Sequence, residues 1–247
     1  MRLACVAAAS AVIGLGVASV DAAIITQWNF NGDSATTVPG GATSPTPAIG
    51  VGTASLVGGT TATFASGTAS GGSSDPVTTT PPNYGWNTTT YPANTTLPAS
   101  DKTAGTQYLV STLGYQDIVI KYDLRHSNTS SRYEQVQITV DGGTSWVDAP
   151  LGFFDGNAGD TWFNGRMVDL TTTLLPVNNN PNFGFRVVST VDPASGQYVA
   201  SNPSSTYAAT GTWRFDMVTV EGNLIPEPAS LSLLALGGLM LGRRRRA

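Results

Sequence analysis

Apolar and polar residues alternate over several short windows in the second half of the chain. Ile118, Ile120, Tyr122 and Leu124 interleave with Val119, Lys121, Asp123 and Arg125, the two-residue period of a strand with one buried and one wet face. Glu134 to Val140 repeats the pattern, and Asp141-Gly142-Gly143 supplies a hairpin turn into Ser145-Trp146-Val147. Phe183, Phe185 and Val187 alternate around Arg186, and Trp213, Phe215 and Met217 alternate with Arg214, Asp216 and Val218. No segment between Ala23 and Leu224 sustains a helical period. The pattern therefore predicts an all-β chain, and short strands broken by Gly and Asn predict a single antiparallel β-sandwich.

Residues 31–106 carry this signal more weakly. They are dense in Gly, Thr, Ser, Pro and Ala, and the pairs Gly40-Gly41, Gly58-Gly59 and Gly71-Gly72 punctuate them, which predicts short strands and long turns. Within this region Tyr84, Trp86 and Tyr91 fall in one loop-like stretch. Three rings so placed either stack on sugar rings or cap the open end of the sandwich core.

The two ends of the chain have a different character. Arg2, the apolar run from Leu3 to Val20 and the small residues Val20 and Ala22 read as a signal helix, residues 1–22, cut by signal peptidase after Ala22. Cys5 leaves with it, so the exported chain has no cysteine and no disulfide. Residues 225–247 run through three zones: Pro226-Glu227-Pro228, an uncharged leucine-rich hydrophobic helix, and Arg243-Arg244-Arg245-Arg246. The apolar zone is shorter than the roughly 20 residues of a comfortable membrane span, and the arginines suit a cytoplasmic face. Triplet, short helix and arginine cluster in this order resemble the PEP-CTERM sorting tail of Gram-negative bacteria that make extracellular polysaccharide. The resemblance implies a partner, an exosortase-type processing enzyme that cuts near the triplet. It also implies a transient membrane anchor followed by release to the cell surface or matrix. An ordinary tail anchor is the other reading of the same residues.

Setting these ends aside changes the charge balance. The whole chain has a formal net charge of −4, but Arg2 and the four terminal arginines belong to the targeting segments. The remaining residues 23–227 carry seven lysines and arginines against fifteen carboxylates. An acidic, Thr/Gly/Asn-rich domain excludes nucleic acid as a partner. The stretches Gly105 to Thr129 and Gly211 to Gly222 resemble the jelly-roll carbohydrate-binding ectodomains found ahead of such tails, in which a closing strand written Arg-Phe-Asp-x-Val-x-Val-x-Gly pairs with the first. Here that first strand is Ile24 to Phe30. The resemblance implies a carbohydrate-binding or structural matrix module over residues 23–224, with extracellular polysaccharide as a partner.

Three residue sets have candidate chemistry. Asp123, Arg125, Arg186, Arg214 and Asp216 fall on polar strand faces, where they form either a sugar-binding ladder with Tyr84, Trp86 and Tyr91 or a set of cross-strand charge pairs. Asn29, Asn31, Asp33 and Asp216 offer the oxygen ligands of a structural Ca²⁺ site, or ordinary turn chemistry. Thr139 to Trp146 resembles an Asp-box hairpin, which implies turn architecture because the motif occurs once. An enzyme is disfavoured: His126 is the sole histidine and looks like a loop residue, and no zinc pair exists. A surface polysaccharide hydrolase built on two carboxylates is the alternative function.

Overall fold

The structure is a computed structural model that describes residues 22–226. The signal helix and the tail beyond Pro226 lie outside the described residues. Twelve strands follow in chain order: β1 (Ala23–Trp28), β2 (Ile49–Gly50), β3 (Thr53–Val57), β4 (Thr61–Ser66), β5 (Tyr84–Thr89), β6 (Gly105–Leu109), β7 (Tyr115–His126), β8 (Tyr133–Thr139), β9 (Val147–Asp155), β10 (Thr161–Asp169), β11 (Gly184–Thr190) and β12 (Trp213–Leu224). Among the described residues no helix is long and apolar enough to cross a membrane.

Every strand pairing is antiparallel, and the strands form two sheets. One runs β10-β7-β12-β1-β2, with β5 also on β12 and β4 on β5; the other runs β3-β6-β11-β8-β9. The eight strands other than β2 to β5 are wound β1-β12-β7-β10 over β6-β11-β8-β9, the path of a jelly roll. β2 to β5 are inserted between its first and second strands. The pairing of β1 with β12, Ala23 opposite Gly222 and Trp28 opposite Val218, agrees with the closing-strand expectation.

Alternation in the sequence becomes burial in the fold. Ile118, Ile120, Tyr122 and Leu124 are buried, as are Val136, Ile138, Phe183, Phe185 and Val187. The two sheets meet through aromatic rings. Trp28 of one sheet packs on Tyr108 of the other at 5.1 Å between centroids, and Tyr108 stacks on Phe185 at 4.8 Å. Each buried indole has an acceptor: Trp28 Nε1 donates to Pro45 O, Trp86 Nε1 to Ala42 O, Trp162 Nε1 to Ala69 O and Trp213 Nε1 to Ser131 O. Large rings thus fill the core without stranding an N–H.

In β12 the simple alternation breaks. Met217 has φ +47°, and the register against β7 shifts between Asp216 and Thr219. This bulge moves the inward face from Trp213 and Phe215 to Val218 and Val220. Met217, expected with the buried set, is the bulged residue, and Val218 takes the core position.

Trp28 joins both sheets and the Pro45 loop, so Trp28→Ala should cost about 3–5 kcal/mol of unfolding free energy. Urea titration followed by tyrosine and tryptophan fluorescence measures this. A midpoint within error of the parent would show that the inter-sheet aromatic contact is dispensable.

Candidate functional site

The aromatic trio lies mostly inside the fold. Tyr84 and Trp86 belong to β5, so this stretch is strand where a loop was expected. Trp86 is fully buried and Tyr91 nearly so, with its ring 4.9 Å from Trp213 and its hydroxyl 2.6 Å from Thr88 Oγ1. Tyr84 is half-buried against the core cluster. The rings cap the core and leave no face for sugar stacking at Trp86 or Tyr91, which corrects that part of the sugar-binding set.

Four of the five ladder charges do come together. Asp123 lies opposite Asp216 and Arg125 opposite Arg214, on the outer face of the larger sheet. That face is roofed by the segment from Ser66 to Asn83. Asp123 accepts from Ser74 N at 2.5 Å and Gly165 N at 2.7 Å, and Asp216 from Ser73 Oγ at 2.6 Å and Met217 N at 2.8 Å. Arg214 donates to Asn87 Oδ1 and Ser66 O, while Arg125 pairs with Asp160 at 2.5 Å. Burial, and then the neighbouring Arg125, pull the Arg214 guanidinium down to about 10. A Cβ at position 85 would come within 2.6 Å of Arg214 Cγ, which is why glycine sits there. Asp123 and Asp216 are buried under the loop they hold, while Arg125 and Arg214 are half-buried. Arg186 lies on β11 in the other sheet, so the five-residue ladder is not assembled.

The four expected Ca²⁺ ligands do not form one cage. Asn29 Oδ1 accepts from Asn31 N; Asn31 Nδ2 donates to Asp75 Oδ2 at 2.7 Å, and its Oδ1 accepts from Tyr84 N. Asp33 is exposed. Among the described residues no three carboxylate, imidazole or thiol groups are placed to share a metal ion. Asp216 nevertheless needs neutralising, because burial pushes its carboxyl well above the usual range, and Asp75 and Asp123 add to the rise. Asn83 Oδ1, buried without a donor, belongs to the same roof.

His126 ends β7 inside the fold and not in a loop. It is fully buried, with Nδ1–H donating to Ser131 O at 2.9 Å and Nε2 facing Glu134 Oε2 at 2.8 Å. Arg166 Nε approaches Glu134 Oε1 at 2.8 Å as an ion pair. A Cβ on Gly156 would strike the imidazole at 2.4 Å, so backbone seals the ring from solvent. His126, Glu134 and Arg166 thus form an ion-paired network in which the imidazole and the carboxylate are fully buried.

The outer face of the five-stranded sheet is built differently. Ser55, Gln107, Arg186, Gln137 and Asp148 occupy one register row across β3, β6, β11, β8 and β9. Arg186 Nε donates to Gln137 Oε1 at 2.7 Å, Gln137 Nε2 to Asp148 Oδ1 at 2.8 Å, and Lys102 Nζ to Asp148 Oδ2 at 2.5 Å. The Arg186 guanidinium lies 4.7 Å from the Trp146 ring centroid, a cation–π contact. Burial lowers the guanidinium from its ordinary value, while Asp148 acts in the opposite sense.

The hairpin between β8 and β9 brings Trp146 there. Asp141 accepts from Thr139 Oγ1, Ser145 N and Ser145 Oγ, and Trp146 Nε1 donates to Gly143 O. The Ser145 and Thr139 hydroxyls hold the Asp141 carboxyl down at about 2. The motif is turn architecture, as its single occurrence implied, and its tryptophan lies half-buried against Arg186. Sequence reading placed Arg186 in the sugar-binding set and Trp146 in the Asp-box turn, but singled out none of Gln107, Gln137 and Asp148. Their common feature is a polar parity on neighbouring strands, visible only once the register is known.

No protein-family model matches the chain, and no curated protein matches it. Among solved structures it is similar to the CBM22-1 xylan-binding domain from Paenibacillus barcinonensis Xyn10C, at 11% identity and TM-score 0.45, over 85% of this chain and 100% of that one. The N-terminal CBM22-1–CBM22-2 tandem domain of the same protein gives 11% identity and TM-score 0.45, over 86% of this chain and 50% of that one. The K2 cleaved adhesin domain of Lys-gingipain follows at 10% identity and TM-score 0.27, over 58% and 73%. The fold assignment rests on the strand pairing itself.

The raised Asp216 carboxyl has a definite pH signature. The native state keeps its proton to higher pH than the unfolded chain does. The stabilisation is therefore complete below the unfolded value near 3.9 and is lost as pH rises through the folded value, by at most about 1.4 kcal/mol per unit. Asp216→Asn should remove this component, so that the variant gains on the parent as pH rises from 4 to 8 in thermal melts without divalent ions. Parallel curves would refute it. A Ca²⁺-dependent rise in Tm that Asp216→Asn abolishes would assign the neutralisation to a cation instead.

Proposed function

We propose that the chain is an exported carbohydrate-binding module that takes a polysaccharide on the outer face of its five-stranded sheet. The observation that carries this reading is the hydrogen-bonded row from Arg186 through Gln137 to Asp148, with Trp146 lying against the guanidinium. A row crossing five strands spans about 19 Å at the usual 4.8 Å spacing, enough for several sugar units. Planar amide, guanidinium and carboxylate groups pair with vicinal hydroxyls, and a partly exposed indole packs on the apolar face of a pyranose. Lys102 balances Asp148, and Arg186 keeps one positive charge in the row, so neutral and acidic glycans both belong among the ligands tested. The groups already hold one another in place, so less ordering is needed when a ligand binds.

Delivery belongs to the chain ends. β1 starts beside the end of β12, so both ends of the domain leave from one pole. In this reading signal peptidase cuts after Ala22, and Pro226-Glu227-Pro228 with Arg243 to Arg246 address the protein to an exosortase-type enzyme and then to the cell surface or matrix. The hydrolase alternative gains no support from the buried carboxylates: Asp123 and Asp216 are roofed, and Glu134 is fully buried.

Affinity electrophoresis through gels cast with a panel of soluble polysaccharides tests the proposal. The parent should be retarded by at least one of them, with Trp146→Ala and Arg186→Ala weakening apparent affinity tenfold or more at unchanged melting temperature. Retardation untouched by both variants, or release of reducing ends by the parent, would overturn it.

A further inference from the structure

A cavity of about 470 Å³ opens where the connections β5–β6, β7–β8 and β11–β12 meet. This is the pole opposite the one from which the chain ends leave. Its walls include Asn94, Arg132, Tyr133, Asp192, Tyr198 and Tyr207. The size falls within the range of small-molecule pockets.

The walls are fixed before any ligand arrives. Tyr207 stacks on the buried Tyr198 at 5.3 Å and 25°. The hydroxyl of Tyr207 donates to Pro92 O at 2.6 Å and that of Tyr198 to Ser100 O at 2.8 Å. Asn94 clamps the main chain of Tyr198 in both directions, accepting from its N–H and donating to its carbonyl. Tyr133 stacks on Phe153 at 5.3 Å and 21°, with the Arg132 guanidinium 5.2 Å from its ring centre. Arg132 is tied through Nε and Nη2 to Asp155, both at 2.7 Å.

Charge narrows the ligand class. Arg132 is already neutralised by Asp155, and Asp192 adds a carboxylate to the wall, held by Ser195 Oγ and two backbone N–H groups. The cavity thus has no uncompensated cation to attract a phosphate or carboxylate. It combines rigid tyrosine walls with one ionised acceptor, which suits a neutral ring bearing hydroxyls. We infer that this cavity is a second saccharide site, separate from the sheet face, that takes a mono- or disaccharide or the free end of a glycan chain.

The full-length protein in detergent would be titrated with glucose, galactose, mannose, cellobiose and maltose, observed by saturation-transfer NMR and by amide chemical-shift mapping. At least one sugar should bind with Kd in the millimolar range or below. Shifts should concentrate at residues 132–133 and 192–207, and binding should persist in Trp146→Ala. Asp192→Asn, which keeps the turn acceptor but removes the charge, and Tyr207→Leu should each weaken it at least tenfold. Asp192→Asn decides the matter if Tyr207→Leu fails to fold. Three results would overturn the inference: no sugar bound, shifts confined to the sheet face, or binding lost in Trp146→Ala and kept in Asp192→Asn. Absence of polysaccharide binding at the Arg186 row would leave the shifts at residues 132–133 and 192–207 and the Asp192→Asn effect in place, so the two readings fail separately.

Discussion

The two-sided pairing of β12 is the constraint on which the rest of the structure depends. One edge is occupied along most of its length by β7, while the other is shared end to end by β5 at Trp213 to Phe215 and β1 at Val218 to Gly222. The bulge at Met217 lies where one partner hands over to the other. A single extra residue lets two strands of different origin use one edge while both halves of β12 keep an apolar face on the core. With that register set, Trp28 and Trp86 both reach Tyr108 in the facing sheet.

Buried carboxylates are the second organising element, and each is handled differently. Asp123 is met by two backbone N–H groups, Asp216 by a hydroxyl and one N–H, and Glu134 by an imidazole and a guanidinium. Taking a carboxylate out of water costs several kcal/mol unless it is paired or hydrogen-bonded. These groups are therefore poor stabilisers but strong selectors of one arrangement: a slipped register would bury a charge with nothing to meet it. The roof over the larger sheet is held by such polar pins, whereas the row on the smaller sheet has Gln137 buried, Gln107 and Arg186 half-buried and Asp148 exposed.

Much of the fold was legible in the alternation of residues, because a half-buried strand cannot hide its period. The windows around Ile118, Val136, Phe185 and Trp213 all became strands, and Asp141-Gly142-Gly143 became a hairpin. The parity held a further message: His126 continues the inward series of Ile118 to Leu124, and Glu134 shares the parity of Val136 and Ile138, so their burial together was already written there. What parity cannot say is which sheet a strand joins. Arg186 was therefore grouped with Asp123 and Arg214, although its neighbours are Gln137 and Asp148. Nor does it reveal a bulge at a non-glycine such as Met217. The distal cavity was least visible, because Asn94, Arg132 and Tyr207 are far apart in the chain and come from three connections with no period of their own.

The neighbourhood of the first and last strands has a consequence for the order in which the molecule can form. β1 and β12 are separated by nearly the whole chain yet lie side by side within one sheet, so the loop joining them is as long as the domain allows, and contacts of that kind are slow to form. A polypeptide emerging lengthwise through a pore cannot close its core while its final strand is still inside. Until that strand arrives, the leading segments lack the partner that fixes their register. In the export reading proposed above, assembly in such a topology is deferred to the end of passage, and the last residues to arrive are the ones that lock it.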